Sequence, residues 1–315
     1  MPDERIFAAC APGLEELLAA ELTALGLRTR AVPGGAEASG EDSAALACLG
    51  SRLADAVSLR LHVGPASGLE PALAEARRRF GPDADLRVRR RGGEATLSLD
   101  AAGGPLYRRG WRARAGAAPL RETLAAAMLA FAGFDGERPF LDPMCGSGTL
   151  AIEAALVAAR RAPGLSRRFA FEDWPGHDAS RTAALRARLA AAERVPPFPV
   201  LASDVNGGAV RLARKNAEAA GAAPWIRIDR IDASRAEPPP GPGLLAVNPP
   251  FGSRLEADPA VAWRALAALL PRLPGWRLCL LAPDRGLEKL LGRSPSAALS
   301  TRNGGMACLI LRYEL

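Results

Sequence analysis

The chain has very few lysines and histidines, and its cysteines follow no recognisable spacing. Lys215 and Lys289 are the only lysines among 41 basic residues, so arginine carries nearly all of the positive charge. Because His62 and His177 are the only histidines, a histidine-rich metal site is not expected. An odd number of cysteines without a Cys-x-x-Cys pair is typical of reduced thiols in a reducing compartment. The five are Cys10, Cys48, Cys145, Cys279 and Cys308.

Long apolar runs are also missing, although hydrophobic residues make up 49% of the 315-residue chain. No uninterrupted run reaches the roughly 18 residues that a membrane-spanning helix needs. Residues 1–5 contain two acids and no apolar core, so we expect no signal peptide. A chain of this length predicts roughly two domains. We therefore expect a cytoplasmic protein of two domains without a membrane partner.

Positive charge is concentrated in one part of the chain. The net charge is +7, and twelve arginines against four acids lie between Arg77 and Arg121. A GC-rich genome would explain arginine in place of lysine, but it would not explain the clustering. Clustered arginine is typical of proteins that contact nucleic-acid phosphates, and we favour that interpretation. The arginines that we expect to contact nucleic acid are Arg77, Arg89, Arg90, Arg91, Arg109, Arg112 and Arg114.

A glycine turn lies between a predicted strand at residues 138–142 and a predicted helix at residues 149–161. Its two glycines let a ligand approach the backbone, and the helix N-terminus favours a carboxylate or phosphate. The spacing Gly146-x-Gly148-x-x-Ala151 also fits a permissive dinucleotide fingerprint, but the acid expected about 20 residues further on is absent. We therefore predict a different cofactor for this turn. The candidate cofactor-binding residues are Asp142, Pro143, Cys145, Gly146, Ser147, Gly148 and Thr149.

Two further acids follow the next two predicted strands. Asp204 ends the strand predicted at residues 199–203, where its carboxylate can accept both hydroxyls of a ribose. Asp232 ends the strand predicted at residues 225–231, where it can meet the amino group of an adenine. Helix capping or solvent exposure would explain either acid alone. Their order at one edge of a parallel sheet favours cofactor binding, and the set suits S-adenosylmethionine.

A short apolar run at residues 244–247 is followed by Asn248-Pro249-Pro250-Phe251, which we take as the catalytic motif. The Asn248 side-chain oxygen and the Pro249 carbonyl can each accept one N–H of a planar amino group. That arrangement localises the nitrogen lone pair toward an electrophile. The two prolines remove competing donors, and Phe251 offers a flat face for a base. The alternative is an ordinary Asn-Pro turn after a strand.

The first third of the chain predicts a small α+β domain, which we place at residues 1–104. Hydrophobic periodicity distinguishes its helices from its strands, and a Gly92-Gly93 pair marks a hairpin. The predicted strands are 6–9 and 57–63, the helices are 12–25, 43–54 and 69–80, and the hairpin joins 86–91 to 94–99. Residues 105–315 form the second predicted domain.

The chain resembles the THUMP-containing RNA guanine-N2 methyltransferases, and among them the bacterial enzymes that modify 23S ribosomal RNA. The resemblance rests on residues 109–127, 141–155, 161–165, 203–204 with 213–217, and 248–255. It implies an α/β class I (Rossmann-like) domain with a mainly parallel seven-stranded sheet. It also implies S-adenosylmethionine as methyl donor and an RNA guanine as acceptor. The preceding domain would be a ferredoxin-like segment with an RNA-binding THUMP domain.

The chain departs from that family at several points. The stretch before Arg109 is shorter by several tens of residues, so we expect a reduced THUMP domain. Phe251 stands where relatives often have tyrosine, and Asn206 where they often have an acid. A transfer-RNA guanine-N2 methyltransferase and a catalytically silent RNA-binding assembly factor for the ribosome remain alternatives. DNA adenine and protein glutamine methyltransferases share Asn-Pro-Pro-aromatic, but they would not explain residues 109–127.

Overall fold

The computed structural model describes residues 4–112, 120–250, 258–283 and 286–315. These residues contain thirteen strands and eight α-helices, numbered here in chain order. The strands are β1 (Glu4–Ala9), β2 (Arg28–Val32), β3 (Gly35–Gly40), β4 (Ala56–Pro65), β5 (Leu86–Arg91), β6 (Glu94–Asp100), β7 (Phe140–Asp142), β8 (Val200–Ser203), β9 (Ile226–Asp229), β10 (Leu244–Val247), β11 (Arg277–Ala282), β12 (Ala297–Asn303) and β13 (Met306–Glu314). The helices are α1 (Glu15–Ala24), α2 (Ser43–Gly50), α3 (Leu69–Phe80), α4 (Glu122–Phe131), α5 (Thr149–Ala158), α6 (Ala179–Ala191), α7 (Gly207–Ala219) and α8 (Pro259–Leu269).

The chain divides into two compact units. One comprises Met1–Tyr107 with Ala162–Ala192, and the other comprises Arg108–Arg161 with Glu193–Leu315. The boundary predicted at residues 104 and 105 is close, but it left residues 162–192 in the second domain. The structure places that segment in the first unit, where the Gly164 N–H donates to the Leu49 carbonyl (2.9 Å) and α6 packs on α2. A Cβ at position 164 would lie 2.5 Å from the Cys48 carbonyl oxygen, so this close approach requires glycine.

The first unit contains a six-stranded antiparallel sheet with the order β2-β3-β1-β4-β6-β5. Its first elements follow the ferredoxin-like order β1-α1-β2-β3-α2-β4, as the resemblance implied, although β2 and β3 were not among the predicted strands. The predicted hairpin joins β5 to β6, and Gly92 and Gly93 have the positive φ that a tight hairpin turn requires (54° and 83°). Side chains alternate between the two faces, so Ile6, Ala8 and Leu97 are fully buried on one side.

The second unit contains a seven-stranded sheet with the order β12-β13-β11-β10-β7-β8-β9. Strands β9, β8, β7, β10 and β11 are parallel, whereas β13 and β12 are antiparallel additions. All four residues of β10 are buried, because helices cover both faces of such a sheet. The predicted class I fold with a mainly parallel seven-stranded sheet is confirmed.

Strand order reverses between β7 and β10. The chain continues from β7 to β8 and β9 on one side, and β10 and β11 lie on the other. Ligands of open α/β sheets bind at the carboxyl edge of the strands at such a reversal. The fold therefore places the binding site where β7 and β10 end. Within the described residues, no helix is long and apolar enough to cross a membrane.

Candidate active site

A tight glycine turn joins β7 to α5 at the strand-order reversal. Asp142 ends β7, and Thr149 begins α5. Gly146 and Gly148 have φ values of 53° and 86°, a region that glycine adopts without strain. A Cβ at Gly146 would meet no described atom within 4 Å, so a ligand has space beside this backbone. The first N–H groups of α5 favour anionic or polar ligand atoms there.

The end of β8 holds this turn in place. The Cys145 N–H donates to the Ser203 carbonyl (2.8 Å), and the Gly146 N–H donates to Asp204 Oδ2 (2.9 Å). Asp204 Oδ1 accepts the Asn206 N–H (2.8 Å). Asp204 was predicted to bind ribose, and the structure gives its carboxylate a second role in fixing the turn. Burial raises the pKa of the Cys145 thiol, so this residue is a packing group rather than a nucleophile.

Helix α7 packs against the glycine turn at residues 147 and 148, a contact that was not predicted from the sequence. Asn216 is fully buried, and its Nδ2 donates to the Ser147 carbonyl (2.9 Å). Ala213, one turn earlier on the same helix, lies against Gly148. Asparagine is a poor residue for a helix interior, and that mismatch was the available signal for Asn216.

We predict different outcomes for alanine at the two glycines. At Gly148 a Cβ would lie 3.1 Å from the Ala213 Cβ and would also force alanine into the left-handed region. At Gly146 only the conformational cost applies, roughly 1–2 kcal/mol. Gly148→Ala should therefore lower the melting temperature clearly more than Gly146→Ala. Gly146→Ala should mainly weaken cofactor binding, because its methyl group enters the open space. Thermal unfolding and cofactor titration of both variants check this, and equal melting temperatures would contradict it.

Asp232 is exposed just beyond β9. Its Oδ1 accepts the Ser234 N–H (2.9 Å) and the Ser234 hydroxyl (2.6 Å), and these bonds lower the pKa of the carboxyl. The side chain thus caps the short turn Ala233–Arg235, which was the alternative role considered from the sequence. A contact between Asp232 and adenine stays a prediction.

Asn248 directly follows Val247, the last residue of β10, and so lies at the same sheet edge as the glycine turn. Its Oδ1 is buried and has no hydrogen-bond partner among the described residues. A buried acceptor without a partner costs about 1–3 kcal/mol, and a donor from a bound ligand removes that cost. Pro249 is buried and Pro250 is half-buried. Phe251, predicted to stack on the base, lies outside the described residues.

Asp142 is buried at the end of β7, and its Oδ1 accepts the Met144 N–H (3.3 Å). Burial, together with the nearby charge of Asp204, raises the pKa of Asp142 well above its ordinary value. The folded protein therefore holds this proton more tightly than the unfolded chain does. Stability is greatest below the unfolded pKa of about 4 and falls as pH rises toward the folded value.

This fall in stability with rising pH predicts the effect of Asp142→Asn. The variant should unfold at higher denaturant concentration than wild type above the folded pKa of Asp142, and the difference should vanish below about pH 4. Glu137→Gln is the control, and its effect on stability should have the opposite sign. Hydrogen bonds from Arg194 and Arg160 lower the pKa of exposed Glu137, whereas the pKa of Asp142 is raised. A pH series of urea unfolding curves measures both. The prediction would be contradicted if the urea midpoint of Asp142→Asn differed from that of the wild type by the same amount at every pH.

The family described as RMKL-like, methyltransferase domain matches residues 109–312, which is well over half of the chain. The chain belongs to this methyltransferase family. A second family, the RlmL ferredoxin-like domain, matches residues 5–58, which correspond to β1 through the start of β4. The ferredoxin-like prediction is thereby confirmed, and a reduced THUMP domain within residues 1–104 stays a prediction.

Individual relatives agree with this assignment. The ribosomal RNA large subunit methyltransferase K/L of Pseudoalteromonas atlantica is 36% identical over 244 residues, covering 74% of this chain and 34% of that protein. A Synechocystis protein, provisionally named an RNA methyltransferase, is 35% identical over 239 residues, covering 74% and 62%. The chain thus spans less than two thirds of either relative. The crystal structure of SMU.472 with S-adenosylhomocysteine shares the fold, with a TM-score of 0.89 and 23% identity over 100% of this chain and 98% of that one.

Two arginines expected to contact nucleic acid belong instead to the interior of the methyltransferase unit. Arg109 is 5% exposed, and its Nε lies 3.3 Å from Glu153 Oε1. Arg112 is largely buried and donates to Glu122 Oε1 (3.0 Å) and Thr149 Oγ1 (3.0 Å). The expectation was wrong for Arg109, because a guanidinium held by a buried carboxylate cannot reach a phosphate. Arg112 supports the first residue of α5 instead.

The remaining candidate arginines lie in the first unit or outside the described residues. Those in the first unit, all exposed, are Arg77, Arg89, Arg90 and Arg91. Arg114 lies outside the described residues. Arg90 is 3.5 Å from Glu70 on α3, an exposed pair that contributes little to stability. The described residues contain no group of three or more histidine, cysteine or acidic side chains arranged to hold a metal ion.

Proposed function

We propose that this protein transfers a methyl group from S-adenosylmethionine to the exocyclic N2 amine of a guanosine in 23S ribosomal RNA. The observation that carries the proposal is the buried, unpartnered Asn248 Oδ1 beside the glycine turn. A buried acceptor of this kind is complementary to an N–H donor of a ligand. Methyltransferase family membership supports the reaction class.

The residues around the turn fit S-adenosylmethionine. The open space at Gly146 admits the cofactor against bare backbone, and the α5 N-terminus suits its methionine carboxylate. Asp204 is half-buried at the end of β8, and each of its oxygens keeps acceptor capacity for a ribose hydroxyl. Asp232 is assigned to the adenine amino group. When bound, the cofactor supplies an electrophilic methyl group on a sulfonium.

On the acceptor side, Asn248 Oδ1 and the Pro249 carbonyl each take one N–H of the guanine amine. This localises the N2 lone pair, which is otherwise delocalised into the ring. Prolines at 249 and 250 supply no N–H that would compete for these acceptors. Phe251 is assigned to stacking on the extruded base. No strong base is required beforehand, because the amine becomes acidic once it is methylated and then releases its proton.

Ribosomal RNA is the proposed substrate because the Pseudoalteromonas relative is named a ribosomal RNA large subunit methyltransferase. An enzyme of ribosomal RNA would act in the cytoplasm. The name K/L does not itself specify the guanine position, so N2 rests on the amino-group clamp. Exposed arginines of the first unit, among them Arg89 and Arg91 of β5, are assigned to the RNA backbone.

Deleting the gene and quantifying N2-methylguanosine separately in large ribosomal RNA and transfer RNA tests the proposal. We expect the nucleoside to fall in ribosomal RNA alone, to return with the wild-type gene, and not to return with an Asn248→Ala gene. Loss from transfer RNA would move the substrate to that class. Loss from neither, together with an unchanged count of every other methylated base, would favour a silent assembly factor and overturn the proposed activity.

A further inference from the structure

The sheet of the first unit has one face that packs against helices and one face that is rich in arginine. Thr29 Oγ1 donates to the Ala19 carbonyl of α1 (3.1 Å), and Leu97 packs with Leu69 of α3, so these side chains mark the helix face. Side chains alternate along each strand, so the residues directly before and after Thr29 and Leu97 lie on the opposite side of the sheet. We call that opposite side the open face.

Strand register aligns four arginines in one row across the open face. Each of the six strands contributes one residue, and the row spans about 24 Å at about 4.8 Å per strand. These residues are far apart in the chain, so no sequence window shows them together. In order from β2 to β5 the row is Arg28, Ser39, Arg5, Arg60, Ser98 and Arg87. Arg5 is placed beside Arg60 because Ile6 and Leu59, the residues next to them, are paired.

Further arginines flank the row, and acids offset part of their charge. Arg30 on β2 pairs with Glu37 (2.6 Å) and Arg87 pairs with Asp85 (2.9 Å), whereas Arg89 and Arg91 extend the positive charge along β5. Asp100 of β6 lies 3.9 Å from Arg87 and accepts the Gly103 N–H (2.9 Å), and Glu94 lies opposite Arg91. The open face therefore keeps a clear excess of positive charge.

Arg60, near the middle of the row, has contacts that do not neutralise it. Its Nη1 donates to Ser98 Oγ (2.7 Å), and its guanidinium lies 4.4 Å from the Phe7 ring centroid. Its Nε is buried without a hydrogen-bond partner among the described residues. The guanidinium keeps its positive charge in the middle of the row, and arginine is well suited to pair with phosphate oxygens.

The geometry points to the open face as the surface on which the RNA phosphate backbone lies. This assignment rests on the proposed function for the class of nucleic acid and on charge complementarity for the surface. Arginines that are close together in the sequence therefore lie on different sides of the sheet. Arg87, Arg89 and Arg91 face the RNA, while Arg90 and the arginines of α3 lie on the helix side, where Arg90 approaches Glu70. Arg5, Arg28 and Arg60 join the surface from outside the basic block.

Two matched triple variants of the full chain test this surface. One carries Arg5→Gln, Arg87→Gln and Arg89→Gln on the open face, and the control carries Arg77→Gln, Arg78→Gln and Arg90→Gln on the helix side. Both lose the same charge. Binding of a fluorescein-labelled RNA hairpin is measured over a range of KCl concentrations. Phosphate contact is independent of sequence, so the probe need not be the natural substrate.

We expect the open-face variant to bind at least 10-fold more weakly at about 0.1 M salt, with a salt slope shallower by about 0.7–0.9 for each lost contact. The control should keep the wild-type slope. Affinity for S-adenosylmethionine should be unchanged in both variants. Equal slopes for the two variants would overturn the surface assignment while leaving the methyltransferase proposal intact. Absence of RNA binding by the wild type would overturn both.

Discussion

Replacing Asn248 with alanine should reduce turnover by 100-fold or more while leaving affinity for S-adenosylmethionine near that of the wild type. A fall in turnover of this size is expected when an enzyme loses one preorganised contact to a group on which charge develops in the transition state. Asn248 Oδ1 is buried and has no hydrogen-bond partner among the described residues, so it is available to accept an N–H of the substrate. Single-turnover methylation at saturating cofactor, with cofactor binding measured separately, gives the two quantities.

The stability of the same variant distinguishes a catalytic role from a structural one. Removing an unsatisfied buried acceptor removes a cost of about 1–3 kcal/mol, so Asn248→Ala should unfold no more easily than wild type. Asn216→Ala is the matched control, because that amide is buried and bonded to the Ser147 carbonyl. The control should lose both stability and cofactor affinity. Intact turnover in Asn248→Ala would refute the assignment of the amino-group clamp.

Breaking the Arg109–Glu153 pair should give the largest loss of stability. The side chains are 4% and 0% exposed, so removing either one takes a buried opposite charge away from the other. Glu153→Ala or Arg109→Ala should each lower the free energy of unfolding by about 3–5 kcal/mol. Urea unfolding followed by circular dichroism, with intrinsic fluorescence as a second probe, measures this loss.

The double variant Arg109→Leu with Glu153→Leu should recover most of that stability, since apolar pairs of similar volume replace buried ion pairs at little cost. Its RNA affinity should equal that of the wild type, because Arg109 is buried. A marked loss of RNA affinity in a well-folded double variant would restore Arg109 to the RNA-binding set. Additive losses in the two single variants and the double variant would contradict a coupled pair.

The elements that were predicted lie within a few residues of the observed ones because their causes are local, whereas β2, β3 and β11 to β13 were not predicted. The predicted helix at residues 69–80 coincides with α3, and the hairpin across Gly92-Gly93 joins β5 to β6 as expected. Glycine at a tight turn and alternation along a strand act over a few positions, so a short window contains the information. The placement of Asp142, Asp204 and Asn248 at strand ends also followed from local patterns.

Long-range partners were not predictable in this way. Arg109 stands within an arginine-rich block, yet its partner Glu153 is 44 positions away. Charge in a sequence does not tell whether a side chain is buried, so the block was interpreted as one surface. Asn216 was overlooked because its role depends on α7 packing under the turn. Residues 162–192 were placed in the second predicted domain, whereas packing on α2 places them in the first unit.

The sequence by itself determined the element types, the class I fold, the methyltransferase family and the motifs at the strand ends. The element types and the strand-end motifs depend on periodicity and turn chemistry within short stretches, whereas the class I fold and the family followed from the resemblance to known methyltransferases. Tertiary structure alone decided which arginines are exposed, how the glycine turn is supported, and that Arg5, Arg60 and Arg87 share one row. Strand register and burial arise from contacts between distant segments, and the chemical character of a residue does not specify the segment that it will meet.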